Sequence, residues 1–180
     1  AFHSPKIEII NTDAFNYLEQ SDDYFDLIVV DLPDPRSVEL NRLYTQEFYR
    51  LCHRQLRNKG VLITQAGSPY YATQAFRCID TTMYSAGFET LALHNQVITL
   101  GEWGWVMGVK GWPEHMNLKK SVQSLSLADI PTQWLNQEAL SLITSFGKNI
   151  YEKQKHPPKI NRIQEPVLYQ YYLDGNWDLY

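Results

Sequence analysis

An apolar run that ends in acids and prolines constrains this chain more than any other feature. Residues 27–30 are all apolar and rich in β-branched side chains, a pattern typical of a buried strand in a parallel sheet. The next residues, Asp31-Leu32-Pro33-Asp34-Pro35, include two prolines, which cannot continue a sheet ladder, so the strand must end in a loop. Ligands of open α/β sheets bind at this carboxyl edge. Two carboxylates on a stiff turn therefore predict a fixed negative site for a cationic ligand, with a solvated turn of helix-capping aspartates as the alternative.

Length and charge narrow the class of protein. The 180 residues are enough for one ordinary core with an appendage. The net charge of -4 argues against non-specific nucleic-acid binding, and no basic run is present. Cys52 and Cys78 lack the CxxC spacing of a zinc site and the five histidines are dispersed, so we expect no metal. No apolar run approaches the roughly 18 residues of a membrane-spanning helix.

The chain alternates between strand-like and helix-like segments. Strands are predicted over residues 6–10, 24–31, 60–65, 89–99 and 103–109, the last two as a hairpin. Helices are predicted over residues 14–18, 38–56 and 70–85, with Ser37 capping the second and Gly87 ending the third. Strand, helix, strand, helix and a closing antiparallel pair predict one half of a doubly wound α/β sheet.

The glycine-rich turn that opens a nucleotide-binding sheet is not present in this sequence. We therefore expect the opening strands to lie upstream, with a complete small α/β domain as the alternative. Residues 1–112 are predicted to be the later part of the α/β domain, and residues 113–180 an aromatic-rich C-terminal appendage, helical and extended, that packs on it. Within the appendage we predict packing by residues 132–146 and a surface arm over residues 152–166. Four aromatic residues after the arm are expected to dock back on the domain or on a partner chain: Tyr169, Tyr171, Tyr172 and Trp177.

Several motifs occur in an order that resembles one enzyme family. They are Asp13-Ala14 before Phe15, the Asp-x-x-Asp-Pro pattern that starts at Asp31, Leu43-Tyr44, Glu47-Phe48-Tyr49 and residues 60–65. In this order the chain resembles the spermidine synthase (polyamine aminopropyltransferase) family. The later motifs are similar to its bacterial branch, in which such a domain follows a membrane-embedded region: Ala66-Gly67-Ser68-Pro69-Tyr70, residues 100–105, Asn161-Arg162, Tyr171-Tyr172 and Trp177. The resemblance implies a class I methyltransferase-like Rossmann sheet, here lacking its opening strands.

The same resemblance implies roles for five positions. Asp13 would hydrogen-bond the adenine amino group of decarboxylated S-adenosylmethionine, with the backbone of Ala14 assisting. Asp31 would be the catalytic acid associated with the attacking amine, and Asp34 would help to hold the diamine. Gln65 would line the substrate cleft.

Three departures from the family pattern bear on the function. The two residues between the acids are apolar, whereas relatives usually have small polar residues there. The family's glycine-rich cofactor loop and its ribose-binding acid have no counterpart in this sequence. Residues 99–101 also lack the substrate-side tyrosine of many soluble members.

The activity implied is transfer of an aminopropyl group from decarboxylated S-adenosylmethionine to a diamine, giving a polyamine such as spermidine and methylthioadenosine. An alkylammonium has a pKa of about 10.4, so the acceptor amine is mostly protonated at neutral pH. Asp31 would therefore orient the amine and receive its proton as the displacement proceeds. The alternatives are a methyltransferase that uses S-adenosylmethionine and a non-catalytic polyamine-binding domain. We also expect no nucleic-acid partner, a location on the cytoplasmic side, as the soluble domain of an inner-membrane protein, and a homodimer formed through an exposed sheet edge.

Overall fold

The structure, a computed structural model, describes residues 4–147 and 157–179. In these ranges the strands are β1 (Phe25–Val30), β2 (Leu56–Gly67), β3 (Phe88–Val97) and β4 (Gly101–Lys110). The α-helices are α1 (Ala14–Gln20), α2 (Val38–Asn41), α3 (Gln46–Gln55), α4 (Thr73–Ser85), α5 (Leu118–Gln123), α6 (Gln137–Ile143) and α7 (Leu168–Leu173). Short 3-10 helices cover Arg42–Tyr44 and Trp177–Leu179.

The strands form one sheet in the order β1-β2-β4-β3. β1 and β2 are parallel, so their carboxyl ends share one edge of the sheet. β4 runs antiparallel to β2 and places Trp105 opposite Gln65, which brings the start of β4 to that same edge. β3 and β4 form the predicted hairpin, in which Val97 pairs with Gly101. The predicted α/β alternation is confirmed.

The main core lies between the sheet and the helices α3 and α4. Apolar side chains that alternate along β2 face the helices, which present their own apolar stripes. The core residues without solvent exposure include Tyr49, Cys52, Leu62, Phe76 and Val106. This packing makes the sheet edge a rigid support for the loops that follow β1 and β2.

The predicted strand over residues 6–10 does not form, and the prediction of a buried β1 is wrong for one of its faces. Ile7, Ile9 and Ile10 are exposed, and in the described ranges no strand pairs with the outer edge of β1. A strand without a neighbour cannot satisfy its backbone N–H and C=O groups by ladder bonds. Ile28 and Val30 face the main core, whereas Leu27 and Val29 project from the opposite face of β1 and remain 57% and 63% exposed.

The helix predicted over residues 38–56 is broken in the middle. Thr45 adopts an extended conformation, with φ -89° and ψ 160°, and its hydroxyl accepts a hydrogen bond from the Phe48 amide. Thr45 therefore begins a new helix, α3, rather than continuing α2. The predicted Ser37 cap is confirmed, since its hydroxyl accepts from the Leu40 amide. The third predicted helix begins later than expected, at Thr73.

The C-terminal appendage differs from its prediction in two places. Over residues 132–146 the only α-helix is α6, and Trp134 and Leu142 are exposed rather than packed. The helix starts at residue 137 because the Asn136 side chain caps it there. The predicted surface arm lies partly outside the described residues, and within them Asn161 is fully buried. Of the four aromatic residues after the arm, Tyr172 is buried, and Tyr169, Tyr171 and Trp177 are half-buried.

Candidate functional site

The loop of residues 31–34, which follows β1, is held at the carboxyl edge of the sheet by two side chains. The Tyr44 hydroxyl lies 3.1 Å from the carbonyl oxygen of Pro33 and 3.3 Å from that of Leu32, and it donates toward this pair. The Gln65 amide, near the end of β2, also donates to the Leu32 carbonyl and lies 3.4 Å from the Tyr44 hydroxyl. Hydrogen bonds from these two buried or half-buried side chains therefore hold the backbone between the two acids in place.

Both acids of the loop lie close enough to the Tyr44 hydroxyl to affect its pKa. The Tyr44 side chain is 1% exposed. Burial, followed by smaller contributions from the negative charges of Asp34 and Asp31, raises the pKa of Tyr44 to about 12, although the hydrogen bond with Gln65 opposes this shift. The hydroxyl thus stays protonated at neutral pH and remains a donor to the loop.

Asp34 lies on a cleft with aromatic walls. Its side chain is 15% exposed, and its Oδ2 accepts a hydrogen bond of 2.7 Å from the Tyr172 hydroxyl. The same oxygen lies 3.3 Å from Nη2 of Arg36, whose side chain is mostly exposed. The cleft has a volume of about 390 Å³, and its lining consists of Asp34, Arg36, Leu100, Trp103, Tyr172, Leu173 and Trp177. One partly buried carboxylate among apolar walls suits a cation that carries a hydrocarbon chain.

Asp31 lies on a different cleft, which is mainly apolar and has a volume of about 330 Å³. The lining runs along β1 and the first turns of α1, with Ala14, Tyr17, Leu18, Phe25, residues 27–30, Asp31, Leu32 and Phe48. Asp31 itself is exposed at the end of this cleft. The loop of residues 31–34 therefore contributes one acid to each of two clefts.

Asp13 stands beside the apolar cleft as the cap of α1. Its Oδ1 accepts hydrogen bonds from the Asn16 amide at 3.0 Å and from Nη2 of Arg42 at 2.9 Å. Within residues 4–147 and 157–179, both side-chain contacts of Asp13 use the same oxygen, which leaves Oδ2 for a further donor. Ala14 is the first residue of α1 and forms part of the cleft wall.

The structure thus gathers the sequence-predicted site residues around two adjoining clefts. Asp31 and Ala14 line the apolar cleft and Asp34 lines the aromatic one, while Gln65 supports the loop between them. Sequence reasoning did not assign a site role to Tyr44 or Tyr172. For Tyr44 the signal was its place in a motif of the resemblance. For Tyr172 the signal was likewise its place in a motif of the resemblance, Tyr171-Tyr172.

Among the described residues, no group of three or more His, Cys, Asp or Glu side chains is arranged to hold a metal ion. In the same part of the chain, no helix has both the length and the hydropathy needed to cross a bilayer.

Comparison with known proteins identifies the family to which this chain belongs. Fold and site define a Rossmann-like α/β protein with a two-cleft site at the sheet edge. Residues 1–120 match the spermine/spermidine synthase domain. The chain therefore belongs to the spermine/spermidine synthase family, as the motifs predicted.

The relatives include bacterial polyamine aminopropyltransferases. The enzyme of Oceanobacillus iheyensis is 36% identical over 100% of this chain and 34% of its own length. That of Leptospira interrogans is 36% identical over 96% of the chain and 32% of its length. Polyamine aminopropyltransferase 2 of Ralstonia nicotianae is 31% identical over 98% of the chain and 32% of its length. The chain thus spans about a third of the length of these relatives.

Two solved structures share the fold. A spermidine synthase in complex with the transition-state analogue AdoDATO superposes with a TM-score of 0.65 at 21% identity, over 81% of this chain and 50% of that one. The spermidine synthase from Thermotoga maritima gives a TM-score of 0.63 at 22% identity, over 81% and 49% of the two chains. Both matches support the Rossmann-like sheet.

Proposed function

We propose that the complete protein carrying this chain transfers an aminopropyl group from decarboxylated S-adenosylmethionine to a diamine, forming a polyamine such as spermidine and methylthioadenosine. One observation carries the proposal: the loop of residues 31–34 places one carboxylate on each of two clefts with different chemistry. A transfer between an adenosine-bearing donor and a cationic acceptor needs two such clefts next to each other. Family membership and the named relatives support the same activity.

The aromatic cleft is the proposed acceptor site. Asp34 would pair with one ammonium group of the diamine through a charge-assisted hydrogen bond. Trp103 and Trp177 would pack on the methylene chain, which is apolar. Arg36 is 70% exposed, so its contact with Asp34 contributes little and is easily replaced by a substrate ammonium.

The apolar cleft is the proposed donor site. Phe48 and the aliphatic side chains of β1 offer a surface for the adenosine ring system. Oδ2 of Asp13 would accept a hydrogen bond from the adenine amino group, and the backbone of Ala14 would assist. Asp31 is placed at the end of this cleft nearest the loop.

In the proposed reaction an amine nitrogen attacks the propyl carbon that is bonded to the sulfonium. The carbon–sulfur bond breaks and its electron pair stays on sulfur, which becomes the thioether of methylthioadenosine. The nitrogen loses one proton, and Asp31 orients the amine and receives that proton, directly or through a water molecule. Holding the two reactants in line would supply several kcal/mol of the rate enhancement, up to about 7–11 kcal/mol in well-oriented systems.

The test is a mass-spectrometric assay of the complete protein with decarboxylated S-adenosylmethionine and a panel of diamines. We expect methylthioadenosine together with a lengthened polyamine. Asp31→Asn should abolish transfer with little loss of folding. Asp26→Asn is the matched control, because Asp26 lies on β1, the strand that Asp31 follows, is 82% exposed and pairs only with Arg57 in the described part of the chain. Asp34→Ala should chiefly raise the KM for the diamine.

The outcomes separate the alternatives. Unchanged turnover in Asp31→Asn would overturn the role of that residue. An unaltered diamine affinity in Asp34→Ala would do the same for Asp34. If no product forms but diamines still bind in a way that depends on both acids, the protein is a polyamine sensor rather than a transferase.

We also propose a setting for the protein, which rests on the motifs shared with the membrane-associated bacterial branch. The domain would lie on the cytoplasmic side, next to a membrane-embedded region, and two copies would pair through an exposed edge of the sheet. Cell fractionation tests the first part. A strict monomer in size-exclusion chromatography with light scattering would refute the second.

A further inference from the structure

The C-terminal segment, residues 157–179, reaches the acceptor cleft although it lies beyond the residues that match the family domain. The match ends at residue 120. Nevertheless α7 and the 3-10 helix after it contribute three side chains to the cleft around Asp34: Tyr172, Leu173 and Trp177. Part of the wall of the proposed acceptor cleft therefore comes from residues outside the range that matches the family domain.

Two buried asparagines fix this segment. Asn161 donates from Nδ2 to the Tyr44 carbonyl at 3.0 Å, and its Oδ1 accepts from the amides of Val167 and Leu168, the residues that start α7. Asn41 accepts from the Tyr169 amide through its Oδ1 at 3.2 Å. Since Tyr44 also supports the loop of the two acids, α7 and that loop are tied to the same element.

Tyr172 makes the direct link to the acid. Its hydroxyl donates to Oδ2 of Asp34, and its ring packs against that of Trp177 at an interplanar angle of 39°, with the ring centroids 4.6 Å apart. Trp177 in turn donates from Nε1 to the Tyr172 carbonyl at 2.7 Å. Burial above all, and then the contact with Asp34, raise the pKa of Tyr172 well above its usual value, so the hydroxyl remains a donor throughout the neutral range.

Among the described residues, both side-chain hydrogen bonds of Asp34 go to Oδ2. A donor fixed on one oxygen sets the plane of the carboxylate and leaves Oδ1 to accept from a ligand. We propose that Tyr172 is a positioning residue for the acceptor amine, which acts by orienting Asp34 toward the substrate ammonium. This inference rests on the proposed function of the cleft, and it assigns to the C-terminal segment a part in binding the acceptor.

The test compares Tyr172→Phe with Tyr171→Phe in the complete protein. The first change removes the hydroxyl that contacts Asp34 and keeps the ring that packs against Trp177. The second is the same chemical change one position earlier on the same helix, where the hydroxyl is near the Lys159 amide, at 3.4 Å, rather than near Asp34. We expect the KM for 1,4-diaminobutane to rise about tenfold or more in Tyr172→Phe, as is usual for losing a hydrogen bond to a charged group, with kcat changed less than about twofold. Tyr171→Phe should leave both constants unchanged.

A double-mutant cycle distinguishes positioning from a structural role. In an Asp34→Ala background, Tyr172→Phe should raise the KM by less than about twofold, because the group through which it acts is gone. An equal rise in both backgrounds, or an unchanged KM in Tyr172→Phe alone, would overturn the inference.

Calorimetric titration with 1,4-diaminobutane keeps the inference separate from the proposed reaction. If the wild-type protein binds the diamine but shows no transfer, the proposed reaction fails, yet a tenfold weaker affinity in Tyr172→Phe still supports the role of Tyr172. If transfer occurs and the variant has wild-type affinity, the inference fails and the proposed reaction stands. A wild-type protein that neither binds nor converts the diamine overturns both.

Discussion

Replacement of Asn161 by alanine should loosen the C-terminal segment from the helices that it crosses. The Asn161 side chain is fully buried and makes four hydrogen bonds with other described residues, two as donor and two as acceptor. Three of them have lengths between 3.0 and 3.2 Å, and the fourth, to the Asn41 carbonyl, is longer at 3.4 Å. At about 1 kcal/mol for each well-formed bond, the loss is about 3 kcal/mol. This corresponds to a more than hundredfold change in the equilibrium for opening the segment.

Amide hydrogen exchange at single-residue resolution measures this opening. The reporters are Gln46, whose amide donates to the Asn161 backbone carbonyl, and Tyr169, whose amide donates to the Asn41 side chain. Neither amide is bonded to the side chain that is removed, so faster exchange at both positions reports detachment of the segment itself. Asn16→Ala is the control, since Asn16 is exposed on α1 and the change should shift stability by less than about 0.5 kcal/mol.

The exchange rates of these two amides test whether Asn161 holds the C-terminal segment in place. We expect both reporters to exchange at least about a hundredfold faster in Asn161→Ala, together with a raised KM for the diamine, because α7 carries the tyrosine that contacts Asp34. Rates within about threefold of wild type would refute the reasoning. Faster exchange with an unchanged KM would show that the segment is anchored by Asn161 but is not needed at the cleft.

Three further predictions test the packing. Thr45→Ala removes the cap of α3 and should cost about 1 kcal/mol, seen as a melting temperature lower by about 2–4 °C; no shift would contradict the cap. Gly104→Ala would place a Cβ 2.4 Å from the Phe76 ring, so we expect a loss of about 1–3 kcal/mol in a denaturant titration, and a neutral result would mean that the ring moves aside freely. Burial raises the pKa of Cys52 and that of Cys78 to about 12, so both thiols are neutral at pH 8 and iodoacetamide should alkylate them only after unfolding; rapid labelling of the native protein, read by peptide mass spectrometry, would contradict their burial.

Much of the fold follows from local signals. The alternation of apolar runs and turn residues predicts the order of strands and helices, and the hairpin of β3 and β4 forms as expected. Ser37 caps α2 as predicted, because a cap needs only an amide three residues away. The strand predicted over residues 6–10 does not form, because local signals alone do not determine a strand. An extended segment becomes a strand only when a neighbouring strand is present, and this depends on residues far away in the sequence.

The candidate site also combines features that local sequence determines with features that only the tertiary structure determines. The sequence by itself determined that two acids would follow β1 at the carboxyl edge of the sheet, because proline and strand periodicity are local properties. Only the tertiary structure decided that the acids line separate clefts. It also brings Tyr172 to Asp34 across 138 positions of the chain and buries Asn161 in a segment whose polar composition predicts exposure. Such pairings arise from how helices pack on a sheet, and a hydroxyl or an amide carries no sequence signal for the distant partner that will satisfy it.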